Sequence, residues 1–98
     1  MRLTPQEVEA IKAAAREVFG PTAVVRVFGS RADDAKRGGD LDLYVEVDAG
    51  GWSLRKESKF LDLIEGPLDQ LSVDLVVHER GRPLRPIEEI ALRDGVML

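Results

Sequence analysis

The chain has no cysteine, so disulfide staples and thiolate metal sites are both excluded. It has few aromatic residues: one tryptophan, one tyrosine and three phenylalanines. No apolar run approaches the ~20 residues needed to span a bilayer, and the polar stretch Met1 to Glu9 lacks the apolar centre of a signal peptide. A cytoplasmic protein is therefore expected. Positive charge is not in excess either. The net charge is −4, which argues against nucleic acid as the main partner while leaving room for a local anion pocket.

What is present suits one small globular domain spanning residues 1–98. Apolar residues make up 44% and charged residues 33%, a balance that separates the chain from disordered sequences. Thr4-Pro5-Gln6-Glu7 reads as a helix start, with Thr4 as N-cap, Pro5 at the first helical position and Glu7 closing a capping box. Val8, Ile11, Ala15 and Val18 (or Phe19) follow at helical spacing, and Gly20-Pro21 ends the helix. Ala23 to Phe28 reads as a strand that closes at Gly29-Ser30. Asp40 to Val47 alternates strictly: Leu41, Leu43, Val45 and Val47 on one side, Asp40, Asp42, Tyr44 and Glu46 on the other.

Ser53 is placed to cap a helix reaching Glu65, with Leu54, Phe60, Leu61 and Ile64 as its apolar face. Val73 to Val77 reads as a third strand, an arginine- and proline-rich loop follows, and a last helix covers about Ile87 to Arg93. Val96 to Leu98 either docks as an edge strand or frays. This order predicts an α/β (α+β) domain: a small mixed sheet with helices packed mainly on one face. Strand order is not legible at this level.

The chemistry sits in three aspartates. Residues two apart in a strand project to one side, so Asp40 and Asp42 place like charges together. Hard oxygen donors in such a pair suit Mg²⁺, which takes a few carboxylates together with substrate phosphates. A solvated strand face would carry the same two residues equally well. Asp74 tips the balance, because it interrupts the otherwise apolar Val73-Asp74-Leu75-Val76-Val77 and needs a partner there. If the third strand neighbours the second, the three carboxylates form one cluster. Gly29-Ser30 lies upstream, where a glycine lets backbone approach a ligand and a serine hydroxyl with nearby amides can bind phosphate oxygens.

Phe28-Gly29-Ser30, then Asp40-Leu41-Asp42-Leu43, then Val73-Asp74-Leu75 together resemble the DNA polymerase β-like nucleotidyltransferase superfamily. The closest likeness is to its minimal nucleotidyltransferases, small proteins often paired with a helical HEPN-type partner. The resemblance implies the nucleotidyltransferase fold and a metal-dependent transfer of a nucleoside monophosphate, with ATP the expected donor, to an acceptor hydroxyl. Asp40 and Asp42 then match the paired ligands of two Mg²⁺ ions, and Asp74 the third carboxylate, which assists deprotonation of the acceptor. Gly29, Ser30 and Arg31 match residues that hold the triphosphate. The acceptor implied is the HEPN-type partner of a toxin–antitoxin pair. A binding-only antitoxin that keeps the fold, and transfer to a small-molecule hydroxyl, are the competing readings. Because 98 residues leave little chain for an acceptor pocket, a partner or a second copy (a homo-oligomer) is expected to complete the working surface.

Several other residues draw attention. His78 is expected at a solvated strand end. Tyr44 and Trp52 face a nucleotide base or a partner, or, for Trp52, anchor the following helix. Lys36 and Arg37 could reach the triphosphate, and Arg80, Arg82 and Arg85 form a basic loop expected to be solvated.

Overall fold

The structure, a computed structural model, describes residues 3–29, 40–68 and 72–98, with Asp40 described by its backbone alone. Three helices and four strands follow in the order α1 (Pro5–Phe19), β1 (Val24–Phe28), β2 (Asp40–Val47), α2 (Leu54–Glu65), β3 (Ser72–Glu79), α3 (Pro86–Asp94) and β4 (Val96–Met97). The polar and charged residues 31–39 lie outside the described residues. The small mixed α+β architecture is the one the sequence predicts.

Local chemistry sets the element ends. Thr4 accepts the Glu7 amide at 3.1 Å while the Glu7 carboxylate accepts the Thr4 amide at 2.8 Å, closing the capping box at α1. Ser53 accepts the Lys56 amide at 3.1 Å and starts α2. Gly20 closes α1 at φ +101°, a conformation that disfavours any residue with a Cβ.

The sheet runs in the order β3-β2-β1-β4. β1 is antiparallel to both β2 and β4, while β2 and β3 are parallel. The parallel pair needs a crossover, which α2 supplies. Alternation along β2 sends Leu41, Leu43, Val45 and Val47, all fully buried, to one face. There they meet Ile11, Ala14, Ala15, Val18 and Phe19 of α1 and Phe60 and Ile64 of α2. This is the main core. Phe19 and Phe60 lock the two helices together with ring centroids 5.6 Å apart, a tilted aromatic pair.

The opposite face is covered by α3, whose Ala91 packs with Phe28 and Tyr44 and, at the margin, Val76 and Leu92. Two helices therefore back one face and one helix the other. Leu54 departs from expectation: it is 70% exposed rather than part of the apolar face of α2. It stands six residues before Phe60, which at 3.6 residues per turn rotates it about 120° away from the buried stripe. Val96 and Met97 do form an edge strand, pairing with Val27 and Arg26. No helix among the described residues is long and apolar enough to cross a membrane.

Candidate functional site

The parallel register of β2 and β3 sets Asp42 directly opposite Asp74, and Asp40 opposite Ser72. Register partners on adjacent strands share a face and lie about 5 Å apart between backbones. Asp42 and Asp74 therefore come together from segments about thirty residues apart, as expected if the two strands are neighbours. Asp42 is half-buried and Asp74 is exposed. The side chain of Asp40 lies outside the described residues; its backbone begins β2 two residues before Asp42, the spacing that places both on one face. Among the described side chains, a set that lacks Asp40, no three His, Asp or Glu gather closely enough to hold an ion.

The third element of the site is the end of β1. Phe28 is the register partner of Asp42, so the chain leaves β1 beside that carboxylate. Gly29 follows at φ +70°, in the left-handed region, and a Cβ built there would collide with Asp42 Oδ2. Both requirements select glycine: the backbone conformation and the close approach. Ser30 and Arg31, expected at the triphosphate, lie outside the described residues, as do Asp33, Asp34, Lys36, Arg37, Gly38 and Gly39. The described site thus joins Gly29, Asp42 and Asp74 at one end of the sheet.

The far end of the same face is built differently. Tyr44, two residues from Asp42, is fully buried and cannot face a base or a partner. Desolvation, followed by the nearby Glu46 and Glu88 charges, pushes its phenol up to about 12. His78 is also buried rather than solvated, with 7% of its surface exposed. Its ring stacks on Tyr44 with centroids 6.4 Å apart, and its Nε2 lies 2.9 Å from the Arg82 carbonyl. The chain turns back after β3 and α3 closes over this face, which removes the strand end from water.

Glu88 is the residue that sequence reasoning missed. It is 2% exposed, and its carboxylate accepts the Arg85 amide at 2.8 Å and the Arg85 guanidinium at 2.7 and 3.0 Å. Burial alone would raise its carboxyl, but the Arg85 hydrogen bonds and charge hold it below its ordinary value. Arg85-Pro86-Ile87-Glu88, with proline at the first helical position and glutamate at the third, carries the readable signal of a helix N-terminus.

Arg80 is likewise no solvated loop residue. Its guanidinium donates to Glu46 at 2.9 Å, Asp48 at 2.8 Å and the Thr22 carbonyl at 2.6 Å, pinning three segments at the end of the sheet remote from Asp42. The Thr22 hydroxyl, and after it Arg80, holds the Asp48 carboxyl below its usual value. Trp52 is 43% exposed and donates its indole N–H to Glu57, bracing the first turn of α2.

A groove of about 500 Å³ runs along Leu75 to Glu79, between Trp52 and Glu57 on one side and Arg82, Arg85 and Glu88 on the other. Neither aspartate of the site lines it. No protein-family model matches the chain, and no curated protein matches it.

Proposed function

We propose that the protein is a magnesium-dependent nucleotidyltransferase, moving a nucleoside monophosphate, AMP in the first instance, from a nucleoside triphosphate to an acceptor hydroxyl. The observation that carries this reading is the register of β2 and β3, which makes Asp42 and Asp74 face-sharing neighbours beside a left-handed glycine. A sheet that needed only a wet face gains nothing from abutting like charges on adjacent strands, since that pairing is destabilising. A divalent cation reverses the sign of the interaction.

The donor set fits such a cation. Asp42 and Asp74 supply hard carboxylate oxygens, and Asp40 begins β2 on the same face; these three would hold Mg²⁺. When bound with nucleotide, Mg²⁺ supplies charge neutralisation at the α-phosphate and the departing pyrophosphate. The chain's own parts do the rest. Gly29, at the end of β1, leaves the backbone there free of side-chain bulk, so a phosphate oxygen can approach it closely. Ser30 and Arg31 follow in sequence as hydroxyl and guanidinium donors to the outer phosphates. Asp74, the more exposed of the two described site carboxylates, takes the proton of the acceptor hydroxyl as its oxygen bonds to the α-phosphorus. The bond from that phosphorus to the bridging oxygen breaks, and pyrophosphate leaves.

The acceptor we assign to a partner protein of the helical HEPN type, as in a toxin–antitoxin pair, following the resemblance that the three motifs carry. Incubation with Mg²⁺ and ATP labelled at the α-phosphate, with and without the product of the neighbouring gene, tests the reading. Label on protein is expected for the wild type and absent for the Asp40→Asn, Asp42→Asn double variant. Label that persists in the double variant sinks the assignment. A stable complex of the two proteins without label in any condition replaces transfer by binding alone.

A further inference from the structure

The groove of about 500 Å³ along Leu75–Glu79 takes no part in the transfer chemistry, and its volume is that of a small-ligand site. Its carboxylates, Glu57, Glu79 and Glu88, outnumber its guanidiniums, Arg82 and Arg85, so bulk charge does not say what it holds. Hydrogen-bonding capacity does. Glu88 has both oxygens occupied: Oε1 accepts the Arg85 amide at 2.8 Å, and Oε2 accepts Nε and Nη2 of Arg85 at 3.0 and 2.7 Å. Glu79 is filled in the same way, with Oε2 accepting the Gly50 amide at 2.8 Å and Oε1 meeting Arg82 Nε at 3.3 Å. One oxygen of Glu57 accepts the Trp52 indole N–H.

The guanidiniums keep donors in hand. Arg85 Nη1 and both terminal nitrogens of Arg82 make no hydrogen bond among the described residues, and both side chains stay exposed. They are also braced, Arg85 by the buried Glu88 and Arg82 by the mostly buried Glu79. Unused donors on a planar, oriented fork suit an anion rich in acceptor oxygens, phosphate above all. The Glu88 hydrogen bonds, then the Glu88 and Glu57 charges, raise the Arg85 guanidinium above its ordinary value against the opposing effect of burial. Glu57 thus acts on Arg85 across the groove, so the two walls are close enough for one ligand to touch both. Trp52, on the Glu57 wall, supplies the apolar half. It is exposed, and its bond to Glu57 restrains the ring. An indole held open at a groove is a stacking surface for a flat ring.

We propose that the groove binds an aromatic phosphate, such as a mononucleotide, with the ring on Trp52 and the phosphate oxygens on Arg82 and Arg85. No metal ion is needed, because the guanidiniums meet the phosphate charge themselves. Neither Asp42 nor Asp74 takes part, so the inference goes beyond the transfer reading and does not depend on it.

The chain has a single tryptophan, so its fluorescence reports this groove alone. With EDTA present and excitation where adenine does not absorb, AMP should quench Trp52 to saturation. Adenosine and inorganic phosphate, each one half of the ligand, should bind at least about tenfold more weakly, phosphate being read by its competition with AMP. Phenyl phosphate that matches AMP assigns the groove to aromatic phosphates at large, and weaker binding assigns it to nucleotides. Arg82→Ala removes an exposed side chain and should weaken AMP about tenfold or more, the loss of a charge-assisted hydrogen bond. Arg93→Ala, an equally exposed arginine in the last turn of α3, should leave the affinity unchanged. So should the Asp40→Asn, Asp42→Asn double variant, whose quenching is expected whether or not the protein transfers nucleotide. Absence of saturable quenching in the wild type overturns the proposal. So does an AMP affinity that Arg82→Ala leaves intact, or that the aspartate double variant removes.

Discussion

The two faces of β2 carry neighbouring residues into different environments. Leu41, Leu43, Val45 and Val47 are fully buried beneath α1 and α2, and their energetics are those of area removed from water. On the other face, Asp42 is half-buried at the open end while Tyr44, two residues on, is fully buried under α3. One strand thus holds a dry core on one side, and a passage from solvated carboxylate to buried phenol on the other. The first side supplies stability, and the second leaves the Asp42 carboxylate partly accessible.

Paired substitutions on the two faces should separate these roles most sharply. Leu43→Ala removes a fully buried side chain and should lower unfolding free energy by about 2–5 kcal/mol in urea titrations. Asp42→Asn, one residue away, should lower stability far less than Leu43→Ala, because it keeps the side chain's volume and hydrogen-bonding capacity and changes only its charge. It should nevertheless depress nucleotidyl transfer by about 100-fold or more, since the loss of groups merely supporting a metal ligand already reaches about that figure. Equal effects of both variants on stability would erase the distinction between the faces.

A glycine substitution probes the boundary between backbone and carboxylate. Gly29→Ala should destabilise by about 1–2 kcal/mol from its left-handed conformation, with a further steric contribution from the Asp42 carboxyl. In the background of Asp42→Ala the steric part should vanish and only the conformational part remain. A double-mutant cycle by thermal unfolding reads that difference.

The buried phenol offers the gentlest test. The chain has one tyrosine, so phenolate absorbance near 295 nm reports Tyr44 alone. Its folded-state value of about 12 lies above the ordinary value of 10.0, so the unfolded chain loses this proton first as pH rises. The stability gained by burying the neutral phenol is therefore complete below about pH 10 and declines as pH climbs toward 12. Tyr44→Phe should flatten that alkaline loss. A phenol titrating near 10 in the folded protein would mean that α3 does not seal this face.

Much of this could be read locally. The capping box at Thr4, the alternation of Asp40 to Val47 and the Ser53 cap are each contained within a few residues, and the elements appear where those patterns place them. The pairing of Asp42 with Asp74 was legible only as a condition, because nothing local states that β2 and β3 are neighbours. His78, Tyr44 and Arg80 were misread for a common reason. Their burial is imposed by segments folding back after β3, and a strand-end histidine or loop arginine carries no mark of what will cover it. Glu88 was overlooked because a glutamate in the first turn of a helix ordinarily faces water.

The sequence by itself determined which segments form helices and strands, and that Leu41, Leu43, Val45 and Val47 share one buried side of β2, since side-chain periodicity and end-capping act over one or two turns of chain. Tertiary structure alone decided the strand order, the meeting of carboxylates from β2 and β3, and the sealing of the second face by α3. Those outcomes depend on which surfaces bury together across tens of residues, and that competition is settled by packing of the whole chain rather than by any one segment.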